Sequence, residues 1–532
     1  MSSKIAVRAA LLAALAATGV AACSGSDGVA SPGEGVFIPS PPPAAPPPPA
    51  APPPPASPTG PAADCPTGLT NAGVVAGLRN CQLPAVITGT LNIPLRAGTI
   101  YSLSGRTDVG IDLGADPAAP LPGGSQGILS IDPGVTIFGS GTLDYLLVNR
   151  GSRISAIGSA AQPIIFTSRQ GVEGGNNDNS IGQWGGLVVL GRAPVSVCTG
   201  VLVPPNVGCT SQVEGANAQY GGNTPADNSG RISHVRVQHS GFEILPNNEL
   251  NGITLAGVGN GTVVENVQVH NSSDDGIEIF GGTVNLRNIV LTGNDDDSLD
   301  VDTGWRGAVQ NLLIVQRSAG GDRGFEFSSA GNRTAQTAPT GQPTAAFTLN
   351  TTPYISNATI VARTGGGDAI VVNSGNGLRL FNSVVFDPAI CLDIDDADTF
   401  TAAPTFNGVF MSCPTSFNAD ADDEAALSVE ELRLDDGKGH AGPPVTARSV
   451  CRAIISSSFV GRTQAATWLA AQLMRGPPRS LACASRSTPS HWAARHTRSR
   501  MVALFSPMPP VNKIASSPPS AAASDPSSRP MR

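Results

Sequence analysis

The chain has 532 residues, with 62 glycines, 46 prolines, only 5% aromatic residues and a formal net charge of −8. Phosphate binding requires a basic surface, so the scarcity of Lys and Arg in the body of the chain argues against nucleic acid as a partner. We also expect no nucleotide partner, because the sequence has no glycine-rich nucleotide loop; it has no histidine-rich metal motif either.

Residues 1–22 have the pattern of an export signal. A basic start precedes the apolar run Ala9–Val20, which is too short to span a bilayer as a stop-transfer helix. The run ends in Val-Ala-Ala-Cys, which resembles the bacterial lipobox and makes Cys23 the lipidated first residue of the mature protein. An ordinary secretory signal is the alternative. Ser24 is not the Asp of an inner-membrane retention signal, so we predict a membrane partner through a lipid anchor in the outer membrane, on its periplasmic or cell-surface side.

Residues 23–64 are dominated by Gly and Ser and then by the run SPPPAAPPPPAAPPPPASP. This composition does not form a packed core and favours polyproline II helix. About 25 such residues at roughly 3.1 Å each span on the order of 75 Å. The segment is therefore predicted to be a semi-rigid tether between the membrane and a folded domain.

Nine cysteines occur in the chain, and an exported protein lies in a compartment that permits disulfides. Connectivity does not follow from sequence alone. A metal site is the rival interpretation, but no Cys-x-x-Cys pair and no nearby histidine supports it. The predicted pairs are Cys65–Cys81, Cys198–Cys209 and Cys391–Cys413, the last separated by one repeat.

A repeat of 22 to 25 residues organises the middle of the chain. Each unit contains short runs of alternating apolar residues, such as Val267 and Val269, separated by Gly, Asn and Asp, which is typical of strands and turns. This period predicts an all-β, single-stranded parallel β-helix of about ten coils over residues 65–415, in which stacked coils share one core. The anchoring asparagines of the units are Asn266, Asn288, Asn311, Asn357 and Asn382.

Two segments interrupt the period. Residues 198–230 are predicted to form a lateral loop, and loops on a rigid solenoid often carry binding. A second excursion covers residues 331–352. Trp184 lies just before the first one, beside Gly185 and Gly186. We expect it to pack at a coil corner, although a sugar-stacking platform is the alternative.

The character of the chain changes after the repeats. Residues 416–445 are acidic and are predicted to cap the solenoid, whose open end would expose strand edges. Residues 446–532 hold 12 of the 32 Lys and Arg but one of the 40 acids, so a tail of charge +11 follows a body of charge −19. The tail is either a disordered basic arm that binds anionic surfaces or the product of a reading-frame error, which we favour because the change is abrupt.

Carboxylates recur at equivalent positions of successive coils. Like charges on adjacent strands repel, so they require protonation, a basic neighbour or a cation. Calcium is a hard ion that prefers oxygen ligands. The three positions hold Asp274, Asp296 and Asp322; Asp275, Asp297, Arg323 and Asp368; and Glu278, Asp300, Glu326 and Asp393. The predicted calcium ligands are Asp274, Asp295, Asp300 and Asp302.

The coil motifs from about residue 128 to residue 413 resemble the right-handed parallel β-helix of the pectin-lyase-like superfamily, which includes pectate lyases and polygalacturonases. The resemblance implies a right-handed solenoid. SDDGIEI, NDDDSLDV and GDRGFEF also resemble three polygalacturonase coil motifs. That resemblance implies catalytic roles for Asp275, Asp296, Asp297 and Arg323, although Arg323 stands where that family has histidine and no Arg-x-Lys follows.

Two functions therefore remain open. The first is an exported, lipid-anchored envelope protein that binds polysaccharide or another surface partner without chemistry, its aspartates serving as turn residues that bind solvent or calcium. The second is a hydrolase or lyase, because glycoside hydrolysis uses one carboxylic acid and one carboxylate. We favour the first.

Overall fold

The structure, a computed structural model, describes residues 60–198, 205–245, 248–317, 320–329, 350–362, 367–386 and 389–418. They belong to the unit Ser57–Arg532; the other unit, Met1–Ala56, lies outside the described residues. The predicted lipidation site Cys23, almost all of the tether, most of the acidic cap and the basic tail also lie outside them. Those predictions stay predictions. No helix in the described residues is long and apolar enough to cross a membrane.

The described residues form strands, numbered in chain order, and two short helices. The first eleven strands are β1 (Thr70–Val75), β2 (Leu78–Gln82), β3 (Val86–Ile87), β4 (Gly89–Ile93), β5 (Thr99–Leu103), β6 (Arg106–Val109), β7 (Gly127–Ile131), β8 (Thr136–Gly139), β9 (Tyr145–Val148), β10 (Arg153–Ile157) and β11 (Ile164–Ser168). The next eleven are β12 (Gly186–Leu190), β13 (Ser211–Gln212), β14 (Gln219–Tyr220), β15 (Gly230–Gln238), β16 (Phe242–Leu245), β17 (Asn248–Leu250), β18 (Ile253–Ala256), β19 (Val263–His270), β20 (Ile277–Phe280), β21 (Asn285–Thr292) and β22 (Leu299–Asp302). The last ten are β23 (Ala308–Val315), β24 (Phe325–Phe327), β25 (Tyr354–Val361), β26 (Ile370–Val372), β27 (Arg379–Phe381), β28 (Val384–Phe386), β29 (Ile390–Ile394), β30 (Thr405–Asn407), β31 (Phe410–Ser412) and β32 (Thr415–Phe417). The helices are α1 (Arg169–Val172) and α2 (Ala397–Ala402).

Parallel pairing between successive coils builds the solenoid. Eleven strands form one sheet, here called the front sheet, in the order β3, β6, β9, β12, β18, β20, β22, β24, β26, β29, β32. Seventeen others form the back sheet. Long strands of the back sheet each pair with two shorter ones: β15 pairs with β10 and β11, and β25 pairs with β27 and β28. The predicted parallel β-helix is confirmed.

The long strands bend at the anchoring asparagines. Asn266, Asn288, Asn311 and Asn357 all adopt positive φ, between 55° and 63°, a conformation that Asn tolerates better than most residues. Each side-chain amide donates to the asparagine of the preceding coil, over 2.8 to 2.9 Å from Asn288 through Asn357. Asn382 continues the ladder at 2.7 Å. The spacing of these asparagines in the sequence is therefore the spacing of successive coil corners.

The core lies inside the coils and follows the predicted alternation. Ile277 and Ile279 of β20 are fully buried, and Leu299 and Val301 of β22 occupy the equivalent positions on the next coil. Burying a side chain of this size stabilises the fold by about 1.5–3 kcal/mol. Trp184 is also completely buried: its indole N–H donates to the Gln238 carbonyl oxygen at 2.8 Å. The predicted corner packing is confirmed.

The three predicted disulfides are present. Their Cα atoms lie 5.5, 4.6 and 5.7 Å apart, within the range that disulfide geometry allows. One bridge ties β2 to the segment before β1, one closes the lateral loop, and one joins neighbouring coils. The bridges are Cys65–Cys81, Cys198–Cys209 and Cys391–Cys413.

Candidate functional site

Between β9 and β24, the outer face of the front sheet changes from apolar to acidic along the helix axis. The residues of one outward-facing register column, from β9 to β24, are Leu147, Val188, Thr254, Glu278, Asp300 and Glu326. Outward-facing apolar residues on a solenoid require a cover, whereas outward-facing acids do not. At β20 carboxylates replace the apolar side chains of this face, although Glu278 itself is still buried.

Two segments, together called the cover, lie over the apolar part of this face. They are residues 191–229, described without 199–204, and residues 242–250, described without 246–247. Val213, Tyr220 and Leu250 of the cover form one buried apolar cluster with Leu190 and Phe280 of the front sheet. The ring centroids of Tyr220 and Phe280 lie 5.9 Å apart. The predicted lateral loop is thus a packed part of the solenoid wall.

Acids of the cover face acids of the front sheet. Burial, followed by the neighbouring Glu249 carboxylate, raises the pKa of Glu214 to about 7. Asp302 acts in the same direction on Glu214, and Glu214 in turn raises the pKa of Glu278. Carboxyl groups of the cover and of the front sheet therefore lie near one another, and this set of carboxyl groups is here called the acidic cleft. The sequence patterns did not single out Glu214 or Glu249, because both lie in aperiodic segments.

Three groups of carboxylates in the cleft are close enough to share one ion. In each group, one oxygen per residue lies within 4.8 Å of the others. Asp274 and Asp300, two of the predicted calcium ligands, therefore meet the predicted catalytic aspartates. The groups are Asp274, Asp275 and Asp296; Asp275, Glu278 and Asp300; and Asp296, Asp297 and Asp322.

Two of the predicted catalytic residues also support the coil turns. The Asp275 carboxylate accepts the backbone N–H of Asp297 at 3.0 Å, and the Asp297 carboxylate accepts that of Arg323 at 2.7 Å. The amide oxygen of Asn251 accepts the N–H of Asp275 in the same way on the preceding coil. These side chains form a ladder that links the turns of successive coils. The structure thus places Asp275 and Asp297 in turns, where the sequence predicted turn residues.

Burial and mutual repulsion raise the pKa values across the cleft. Burial, followed by the charge of Asp296, raises the pKa of Asp274 to about 8. Burial and neighbouring carboxylates raise the pKa values of Asp275, Glu278 and Asp300 well above their usual range. Such shifts favour a proton or a cation between the acids. Clusters of this kind are frequent at functional sites.

Arg323 supplies positive charge beside the exposed carboxylates of Asp296 and Asp322, here called the mouth of the cleft. Its guanidinium forms ion pairs with Asp322 at 2.8 Å and with Glu326 at 2.7 Å. A guanidinium held by two carboxylates stays protonated near neutral pH and is not a general acid or base. Arg323 is therefore suited to positioning these carboxylates rather than to the proton transfer of a histidine.

The remaining predicted calcium ligands lie beside the groups rather than within them. Asp295 forms an ion pair with Arg317 at 3.1 Å. Asp302 lies opposite Phe280 on the front sheet, and its Oδ1, like that of Asp300, is buried without a hydrogen-bond partner. The carboxylate oxygens of Asp296, Asp297 and Asp322 fit a hard divalent cation, because they lie within 4.8 Å of one another and such ions bind clustered carboxylate oxygens.

Coils stacked through two parallel sheets define the class of parallel β-helix domains. The profile of the pectate-lyase-like β-helix domain family matches residues 119–431, which is more than half of the chain. The chain therefore belongs to this family. No curated protein sequence matches it.

Two solved structures are similar to the chain. The crystal structure of the Agl-KA catalytic domain shares 15% identity at a TM-score of 0.23, covering 60% of this chain and 62% of that one. The catalytic unit of a thermostable GH87 α-1,3-glucanase from Streptomyces thermodiastaticus strain HF3-3 shares 10% identity at a TM-score of 0.18, covering 61% and 64%. The chain spans less than two thirds of either structure, and TM-scores this low say nothing about the site.

Proposed function

We propose that the acidic cleft binds an acidic polysaccharide through a divalent cation. The observation that carries the proposal is one group of carboxylates, with oxygens of Asp296, Asp297 and Asp322 within 4.8 Å of one another. Calcium takes six to eight oxygen ligands. A few carboxylates of the protein leave coordination positions that the carboxylates of a uronate chain can fill.

The experiment is isothermal titration of residues 60–532 with polygalacturonate, in millimolar calcium and in chelator, with uncharged dextran as the control polymer. We expect binding of polygalacturonate only with calcium, and no binding of dextran. Asp296→Asn with Asp322→Asn should weaken binding by at least about tenfold, since each removes one charged ligand of this group. Asp398→Asn, an exposed aspartate of α2, is the matched control. Absence of polygalacturonate binding in calcium would reject the proposal.

A second candidate, cleavage of a polysaccharide, is favoured by one observation. Asp274 has a pKa of about 8 and lies within 4.8 Å of Asp296. A protonated carboxyl beside a second carboxylate is the arrangement that glycoside hydrolysis uses, and a short separation suits a retaining mechanism. In this case Asp274 would protonate the leaving oxygen and Asp296 would attack the sugar.

Cleavage is tested with a panel of acidic and neutral polysaccharides, followed by assays of new reducing ends and of the ultraviolet absorbance of unsaturated products. Hydrolysis predicts new reducing ends without absorbance, and their loss in Asp274→Asn. A lyase predicts absorbance. If neither product forms, the cleft binds without chemistry.

The cellular context of this binding is also a proposal. The lipobox-like sequence at Cys23 and the proline-rich tether support a lipid-anchored envelope protein that holds the β-helix away from the outer membrane. Binding of an envelope or extracellular polysaccharide agrees with that position.

A further inference from the structure

A groove of about 260 Å³ lies on the back sheet, where β15, β19 and β21 run side by side. It shares no residue with the acidic cleft, and none of the side chains that line it is acidic. Three of the lining residues, Arg236, Gln268 and Val290, occupy one register position on the three strands. Pockets for drug-sized ligands measure about 300–1,000 Å³, so this groove suits a smaller molecule.

One wall of the groove is a short loop of the preceding coil, residues 158–163, which connects β10 to β11. β15 has the single residue His234 in place of this loop, because the neighbours of His234 pair with the last residue of β10 and with the first residue of β11. Within the loop, Ser159 and Gln162 exchange two backbone hydrogen bonds of 3.0 and 3.1 Å. The wall is therefore a closed turn that stands above the corner of the next coil.

The asparagine ladder ends in this groove. The Asn266 oxygen accepts a hydrogen bond from the Asn288 amide at 2.9 Å, and the later members of the ladder donate in the same direction. The corner of the preceding coil holds His234, whose Nδ1 faces the Ser233 hydroxyl at 3.2 Å. The Asn266 amide thus has no asparagine to which it can donate. Hydrogen bonds in a row polarise one another, which strengthens the donor at the end of the row.

Arg236 adds a positive charge beside this donor. Its side chain is exposed, and none of the ion pairs among the described residues includes it. A guanidinium and amide N–H groups, with no carboxylate among them, favour an anion that offers several oxygens, as a phosphate or sulfate group does. Pro163 and Val290 contribute apolar surface to the same groove, and apolar surface of this kind packs against the C–H face of a sugar ring.

We infer that this groove binds a sugar that carries a phosphate or sulfate group. The oxyanion lies against the Arg236 guanidinium and the Asn266 amide, and the sugar ring packs beside Pro163 and Val290. The site goes beyond the proposed function, since it lies on the other sheet and requires no cation.

The test is saturation-transfer NMR titration of the protein in the presence of chelator. The ligands are glucose 6-phosphate, glucose 6-sulfate, glucose, galacturonate, inorganic phosphate and sulfate. At least one of the two esters should bind about tenfold more tightly than glucose or galacturonate, because hydrogen bonds to a charged group are strong. The ester that binds identifies the group. Failure of both esters to bind, or equal binding of glucose or galacturonate, would overturn the inference. Equal binding of the inorganic anion would overturn its sugar part.

Substitutions locate the binding in the groove. Arg236→Gln should weaken binding of the ester by at least about tenfold, since it removes the charged donor. Asn266→Asp keeps an oxygen for the Asn288 amide and tolerates positive φ, but it places a carboxylate against the oxyanion, so binding should be lost. Arg153→Gln is the matched control, because Arg153 is an exposed arginine of the back sheet outside the groove.

Circular dichroism checks that the variants fold, and the exposed Arg236 decides the question if Asn266→Asp does not fold. Unchanged affinity in Arg236→Gln, or an equal loss in Arg153→Gln, would refute the assignment of the groove. Binding of polygalacturonate in calcium should be the same in all three variants, so failure at this groove and failure at the acidic cleft are separate results.

Discussion

Glu214→Gln should stabilise the cover at alkaline pH and have no effect in acid. Glu214 faces Glu249 within the cover and Asp302 across the cleft, and its pKa is raised to about 7 from an ordinary 4.5. Glutamine resembles the protonated acid and still offers a hydrogen-bond donor. The variant therefore keeps the neutral form at every pH.

The sign follows from proton linkage. Between pH 4.5 and about 7 the folded state binds more protons at Glu214 than the unfolded state does, so the stability that this group contributes falls as the pH rises. It is fully present below pH 4.5 and lost above pH 7. A difference of about 2.5 pKa units corresponds to roughly 3 kcal/mol. Because Glu214 is only half-buried, solvent screening reduces this to about 1–2 kcal/mol.

Hydrogen–deuterium exchange of peptides from the cover is the appropriate assay, because solenoid proteins often open locally rather than in one step. At pH 8, corrected for intrinsic rates, exchange in Glu214→Gln should be slower by about 5- to 30-fold, and at pH 4 the two proteins should agree. Glu173→Gln, which removes only an exposed ion pair with Arg169, should change exchange little at either pH. Equal exchange of Glu214→Gln and the unmodified protein at pH 8 would refute the reasoning.

Three further predictions concern other parts of the chain. Millimolar calcium should raise the melting temperature and chelator should lower it, because an ion that binds only the folded state stabilises it, by about 2.7 kcal/mol at a hundred times its Kd. Asp296→Asn with Asp297→Asn should reduce this response and should raise the stability measured without calcium. An unchanged response to calcium in that variant would count against a bound cation. Cys23→Ser should release the protein from the membrane fraction, and undiminished membrane association would show that the lipobox interpretation is wrong. Resequencing of the gene should recover an apolar-periodic cap in another frame after residue 445, whereas a tail as resistant to protease as the coils would contradict the reading-frame error.

The sequence by itself determined the coils. A residue in a solenoid contacts its equivalents one repeat before and after it, so the repeat period predicts which residues are neighbours. Within a coil, the alternation of apolar and polar residues predicts which side chains face the core. Asn266 and Asn288 are recognisable as corners because each occupies the same position in its repeat and pairs with its neighbour. The disulfide Cys391–Cys413 follows from the same rule, with a separation of one coil.

Only the tertiary structure decided the shape of the site. Periodicity carries no information about where an aperiodic segment packs, and the contacts of the cover join residues far apart in the chain, such as Tyr220 and Phe280. The acidic column could be aligned from the sequence, but the 5% exposure of Glu278 could not, because it depends on segments packed beside β20 and on the hydrogen bond that the Asn251 amide donates to its carboxylate. The raised pKa of Glu214 likewise comes from its burial and from the charge of Glu249 beside it. The repeat thus determines the scaffold, whereas the packing of the remaining segments determines which carboxylates are buried, such as that of Glu278, and which are exposed, such as that of Asp322.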